Sequence, residues 1–424
     1  MQRKDILELK KRFKKGHFTF THLCGCYVNS EKQIVSKFRE FFLNLEEDEL
    51  FKYLEIAKKV LSGTIGNNLL ELNFPLSEDF TNESQTSLMQ LKKSGLKDDA
   101  LLDAFYQLVI EQYDNPDNFL ILVFHDAYDV MTKTKDNQKL DESEEVYEYI
   151  LCAICPVSLS DPGLTYVEQE NIIKSRIRDW VVGVPTNGFV FPAFTDRSAD
   201  VNAVMYYTKN PKEPHPELME NVLGCPAKQT STLQQGTFQS LVKASLGLEE
   251  EQADRIFMDV QDNLNTMVDE HNALYDDTDC EPIILTKDHI QELFEESGIP
   301  EETTIKIENF YEETFGDDLP LAERLIDTKI LKANAQIKKE KELIKHIQVL
   351  ETKLEEVTQK TLLDPADHLD VDLDDGAVVP DIILQVKPEK VPEIKTQMID
   401  GQKYIVIPVN GDEQTRVNGL DDFI

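Results

Sequence analysis

The stretch WVVGVPTNGFVFPAFTDRSADVNAVMYYT, residues 180–208, decides how this chain is read. The sequence is 29% charged overall, yet this window carries only Asp196, Arg197 and Asp200. It also holds the single tryptophan, Trp180, together with Phe189, Phe191, Phe194, Tyr206 and Tyr207. Apolar density of this kind is expected of a buried core. Val181–Val184 fits a helix end or a strand equally well. Asn187-Gly188 is a turn signal, and Phe189–Phe194 and Ala203–Thr208 are strand-like runs on either side of a polar tip from Thr195 to Asp200. A site carried by this segment is expected at that tip.

Upstream, Phe119–Phe124 is a continuous apolar run ending in His125-Asp126, and Val146–Ile154 is a second one closed by Cys155-Pro156; both predict buried strands. Phe18–Val28 is extended in character. Ile34, Val35, Phe38, Phe41 and Phe42 recur at helical spacing, as do Leu50, Phe51, Leu54, Ala57, Val60 and Leu61 before Ser62-Gly63, so two amphipathic helices are expected near the start. Asp98 or Asp99 caps a third helix, which Asn115-Pro116 ends.

Downstream, His215-Pro216 opens a short helix that Gly224 terminates, and helices follow at Phe238–Leu246 and about 252–271. Two acidic helices are expected around Lys287–Glu296 and Glu301–Phe315, then one long helix over about 320–362. Within it Leu343, Ile347, Leu350, Leu354 and Val357 are spaced four, three, four, three, which is coiled-coil spacing over two heptads. A dimer seam and a helix packed on its own domain are both open. Asp364–Gly376 is an acidic linker. Asp400-Gly401 between Ile394–Ile399 and Gln402–Val409 predicts a hairpin, with Ile382–Val386 as a third strand.

The expected fold class is mixed α/β (α+β): a central buried sheet flanked by helices, a helical extension with one long helix, and a small C-terminal β unit. The corresponding boundaries are 1–284, 285–362, 363–377 for the linker and 378–424.

Eighty acidic against 44 basic residues give a net charge of −36. Such a balance favours solubility and repels phosphate backbones and anionic lipid. The first residues are a local exception, with Arg3, Lys4, Lys10, Lys11, Arg12, Lys14 and Lys15 on a segment whose Ile6, Leu9 and Phe13 share a helical face. That segment reads as a helix docked on the acidic body, with an RNA or lipid contact as the alternative. No signal peptide or membrane span is expected. Six cysteines in 424 residues suit a reducing cytosol better than a disulfide scaffold.

Two constellations carry possible chemistry. His22, Cys24 and Cys26, with Cys152 and Cys155, have spacing that a metal or redox group could use, because positions i and i+2 of a strand share a face. Buried cysteine is equally an ordinary small apolar residue. His125, Asp126 and Asp129 lie at a strand end, and with Asp196, Arg197 and Asp200 they define a candidate catalytic set: an anion held by Arg197, His125 as base, and aspartates on a metal. The structural alternative is a strand-end polar cluster and an ion-paired turn. Gly63-Thr64-Ile65-Gly66 lacks the Lys-Ser/Thr pair of a phosphate loop. Asp370, Asp372, Asp374 and Asp381 match calcium-loop positions without the glycine in place or a following helix. The functional expectation is an interaction or regulatory protein with a protein partner, or a homodimer through the long helix. The competing class is a metal-assisted hydrolase or phosphoryl-processing enzyme with its site at the sheet end.

Several ungapped blocks resemble one family. Leu23-Cys24-Gly25-Cys26-Tyr27-Val28, Leu61-Ser62-Gly63-Thr64-Ile65-Gly66, Tyr149-Ile150-Leu151-Cys152 through Pro156, and Gly188-Phe189-Val190-Phe191-Pro192-Ala193-Phe194 with Asp196-Arg197-Ser198 are similar to an uncharacterised bacterial family, domain of unknown function 4317. Met398-Ile399-Asp400-Gly401 and Val417-Asn418-Gly419 fit as well. The resemblance covers about 1–325 and 381–420 and departs over Lys329–Asp375, where the chain is longer. It implies a bacterial cytosolic setting and carries no activity, cofactor or catalytic residue across.

Overall fold

The computed structural model describes residues 1–14, 16–75, 82–133, 139–274, 282–316, 318–363, 393–399, 402–408, 415–417 and 420–422. The chain forms two compact units, Met1–Leu343 and Ile344–Ile424. The first begins with helix α1 (Arg3–Arg12), strands β1 (Phe20–Val28) and β2 (Ile34–Phe41), helix α2 (Glu47–Val60) and strand β3 (Leu69–Asn73). Helices α3 (Glu83–Lys93) and α4 (Asp99–Gln112) precede two long strands, β4 (Phe119–Lys133) and β5 (Lys139–Leu159). Short strands follow: β6 (Leu164–Val167), β7 (Ile172–Ser175), β8 (Trp180–Val182), β9 (Asn187–Phe191), β10 (Ala193–Thr195), β11 (Ser198–Asp200) and β12 (Ala203–Thr208).

One antiparallel sheet in the order β2-β1-β4-β5-β9-β12-β3 organises this unit, with β8 added to the far end of β5. Its residues alternate between two buried faces, as the pleat requires. One face carries Cys24, Ile121, Val123, Ile150, Cys152, Phe189 and Tyr206 under α3 and α4. The other carries Leu23, Leu122, Phe124, Tyr149, Leu151, Val190 and Tyr207 under α1 and α2. Helices therefore flank the sheet on both sides. The helix expected after Asp98 forms as predicted, with Asp98 Oδ1 accepting from the amides of Ala100 and Leu101.

Beyond a π turn at Leu218–Val222, helices α5 (Ser231–Leu246), α6 (Glu250–Leu274), α7 (Lys287–Glu296), α8 (Glu301–Phe315) and α9 (Ala322–Leu325) share a third core around Phe238, Phe257, Leu264, Phe294 and Tyr311. Helix α10 (Thr328–Leu363) starts later than the expected residue 320, because α9 ends first and Asp327 caps the new helix through the Lys329 amide. The second unit, which takes in the distal part of α10, contains two hairpins, β13 (Lys395–Ile399) with β14 (Gln402–Val406) and β15 (Thr415–Val417) with β16 (Leu420–Asp422). The linker aspartates, the calcium-like positions and the strand expected at Ile382–Val386 lie outside the described residues. Among the described residues no helix is long and apolar enough to cross a membrane.

Three readings are corrected. Ile34–Phe41 is a strand: Asn29 Oδ1 accepts from the amides of Glu31 and Gln33, Lys32 takes a left-handed φ of 59°, and this turn folds β2 back onto β1. β-Branched Ile34 and Val35 suit an extended backbone, and the helical spacing is coincidental. Asn187-Gly188 is no turn but the start of β9, paired on both sides. Trp180, Val181, Val182 and Val184 are exposed, although the low charge of the window suggested burial. They belong to an arm at the tip of β5, and only the part of the window from Asn187 onward is core.

Candidate functional site

The two residues that end the apolar run of β4 point to opposite faces of the sheet. His125 continues the face of Ile121 and Val123, and Asp126 continues that of Leu122 and Phe124. Asp126 is buried, and each carboxylate oxygen accepts one hydroxyl: Oδ1 from Thr19 at 2.5 Å and Oδ2 from Tyr149 at 2.6 Å. Arg12 Nη2 donates to the same Thr19 oxygen at 2.6 Å, and its guanidinium lies 3.8 Å from the centre of the Tyr128 ring. A buried carboxylate is tolerable when its lone pairs are filled and a cation stands nearby, and α1 supplies that cation. Asp126→Asn places an amide N–H against a hydroxyl donor, so a loss of about 1.5–3 kcal/mol is expected from losing one charge-assisted bond. Urea unfolding of the purified chain measures it, and an unchanged midpoint would refute the assignment.

The tip read from the sequence is a two-residue turn between β10 and β11. Asp196 and Arg197 both adopt left-handed φ, 47° and 66°, as a type I′ hairpin turn demands. Arg197 Nη1 pairs with Glu8 at 3.0 Å and Lys4 pairs with Asp196 at 2.9 Å, so the tip is pinned to α1. Asp200 Oδ1 caps the Asn202 amide at 3.0 Å. Asp129, Asp196 and Arg197 thus line one cleft of about 1060 Å³ with α1. His125 faces away from it across the sheet, and Asp200 is occupied in its own turn. The six candidates do not form one site.

On the other face His125 Nε2 lies 3.0 Å from Glu148 Oε1, and Nδ1 lies 2.9 Å from Thr21 Oγ1. Neither partner was singled out in the sequence. Glu148 sits opposite Ala127, diagonal to His125 on the same face, so the β4–β5 register would have found it. Thr21 was hidden because it is the extra residue of a bulge, between the pairs Phe20 with Asp126 and His22 with His125.

The cysteines are distributed by the same alternation. Cys24, Cys26 and Cys152 face α4, whereas Cys155 faces α2, and Cys24 and Cys152 each pair with Val123 on the strand between them. Two strand spacings of about 4.8 Å separate such positions, more than a shared ion allows. Gly25 stands between Cys24 and Cys26 because the Phe38 ring lies against it: a Cβ there would come within 2.2 Å of that ring. Among the described residues no three His, Cys, Asp or Glu side chains gather as a metal site.

A three-layer α+β unit with polar clusters at one sheet end, a helical core and small β hairpins defines the class of this protein. The chain belongs to the family described as domain of unknown function (DUF4317), which it matches over residues 1–420. That match includes Lys329–Asp375, the part the sequence resemblance had set apart. No curated protein and no solved structure matches it.

Proposed function

We propose that this protein is an interaction protein of the bacterial cytosol that docks a basic protein partner through the arm from Leu164 to Val184. The observation that supports it is exposure: Leu164, Tyr166, Ile173, Ile177 and Trp180 are all more than half exposed, in a continuous segment that also presents Ile172, Val181, Val182 and Val184. Exposed apolar residues concentrated in one short arm are characteristic of partner surfaces. The arm is locally balanced, with Glu168, Glu170 and Asp179 against Lys174, Arg176 and Arg178, while the chain as a whole carries −36. Long-range attraction thus favours a partner of opposite sign. Leu343, Ile347 and Leu350 of α10 are exposed as well, which supports pairing of two copies at that helix.

The test is a photo-crosslinker at Ile177 in cells, followed by reconstitution of the captured protein and the full chain from purified components. Trp180→Ala is expected to weaken that complex about 30-fold, the effect of removing an aromatic anchor worth roughly 2 kcal/mol. The thermal midpoint of the free chain stays unchanged, and affinity falls as salt rises. Equal affinity for the variant, or capture at Ile177 of nothing but a second copy of the chain, refutes the arm as the docking surface.

A further inference from the structure

At the end of the sheet facing α3, five polar side chains form one connected cluster. An ionised Glu148 can only accept, so a neutral His125 facing it carries its proton on Nε2 and presents Nδ1 as an acceptor. Thr21 Oγ1 lies 2.9 Å from Nδ1, its nearer acceptor, with the His125 carbonyl oxygen at 3.4 Å. His22 Nδ1 lies 3.2 Å from the same hydroxyl oxygen. Lys92, whose side chain is 11% exposed, approaches the second oxygen of Glu148 at 3.5 Å. Hydroxyl, base and orienting carboxylate stand in the order of a nucleophile activated by a neighbouring imidazole.

Three independent features surround this cluster. Thr21 is exposed, and the bulge turns it out of the pleat while both imidazoles remain buried. The loop after α3 holds two successive left-handed residues, Gly95 at 58° and the fully buried Leu96 at 60°. A leucine in that region is uncommon and costs on the order of 1 kcal/mol, strain of the kind that collects at functional sites. The turn lays Gly95 between His125 and Lys97, since a Cβ there would be 3.9 Å from His125 Cε1 and 3.9 Å from Lys97 Cε, and the Lys97 charge is felt at His22. Finally, burial and then the Lys97 charge hold His22 below the usual imidazole range, so it is neutral at pH 7.

We propose that Thr21 is an acyl-accepting nucleophile, with His125 as its base, in a site that takes carboxylic esters or thioesters. As Thr21 Oγ bonds the carbonyl carbon, its proton passes to His125 Nδ1. That proton then goes to the departing alkoxide or thiolate as the ester or thioester bond breaks. Water next attacks the threonyl ester and gives a proton to Nδ1. Nδ1 returns it to Oγ as the carboxylic acid leaves. Glu148 and Lys92 are positioning residues that fix the tautomer. The Lys97 ammonium is the local charge for the tetrahedral oxyanion.

The full chain is treated with p-nitrophenyl acetate and, separately, with a fluorophosphonate, and modification is located by intact mass and peptide mapping. One adduct on Thr21 is expected with each probe. Thr21→Ser retains it and the isosteric Thr21→Val abolishes it. His125→Asn slows acylation about 10²–10⁴-fold, the usual contribution of a positioned base. Glu148→Gln lowers kcat for the aryl ester with KM unchanged, which a purely structural role would not do. Absence of a Thr21 adduct with both probes overturns the proposal. So does equal acylation of wild type and His125→Asn, or of wild type and Thr21→Val if His125→Asn fails to fold.

Discussion

Gly188→Ala is expected to lower the stability of the main unit by about 3 kcal/mol, at the upper end of what overpacking a close-packed interior costs. An added Cβ would stand 2.4 Å from the carbonyl oxygen of Cys152 and 3.1 Å from both methyls of Val60. The oxygen belongs to a backbone already committed to the β5–β9 ladder, where Gly188 faces Ala153 and Phe189 faces Cys152. Relief requires the two central strands to part. For Gly25→Ala the three nearest atoms all belong to the Phe38 ring, on the edge strand β2, which can turn toward solvent, so its cost should remain below about 1.5 kcal/mol. Urea midpoints of the two variants at constant slope decide the matter. A loss under 1 kcal/mol for Gly188→Ala would show that β5 and β9 are less tightly held than described.

Raising the pH above 9 is expected to destabilise the folded chain. Burial pushes the thiols of Cys24, Cys26, Cys152, Cys155 and Cys225 upward, that of Cys26 to about 11 and those of Cys155 and Cys225 to about 12. The sign follows from linkage: a thiol kept protonated by the fold binds more protons in the native than in the unfolded state once pH passes its ordinary value of 9.0. Its contribution is complete below that value and is lost as pH rises through the folded-state range of about 11–12. Buried Tyr147, Tyr149 and Tyr206 are shifted the same way by desolvation and add to the effect. Urea midpoints should be level from pH 7 to 8.5 and drop by pH 10. In parallel, a thiol-specific reagent at pH 8 should react with these five only after denaturant is added, because buried thiols carry no reactive thiolate. Rapid modification of any one of them in the folded chain, or a midpoint that holds at pH 10, contradicts this account.

Where the sequence sufficed, a local chemical signal coincided with the tertiary outcome. Asp98 caps α4, Ser297-Gly298 and Pro300 separate α7 from α8, and Phe119–Phe124 reads as a strand because it is buried on both sides. Where it failed, a long-range partner determined the result. β2 is extended because β1 is beside it, and Gly188 is straight because β5 and β12 flank it. Trp180 was assigned to the core on composition, yet an apolar residue may be exposed without penalty to the pattern around it. The candidate site was half legible. His125 and Asp126 marked the sheet end where the two polar clusters lie, but adjacent numbers concealed opposite directions, and Glu148 and Thr21 required a register and a bulge that no local signal announces.

Strand β5 carries Glu148 near one end of its buried run and Val157–Leu159, which holds the arm, at the other. Ten residues of strand between Glu148 and Ser158 span about 33 Å. A one-residue slip along such a strand would exchange its faces, exposing Ile150 and Cys152 to the wrong core and turning Glu148 from His125. Longitudinal play is therefore forbidden in small steps, and β5 serves as a fixed ruler between arm and imidazole rather than as a piston that could carry a signal between them.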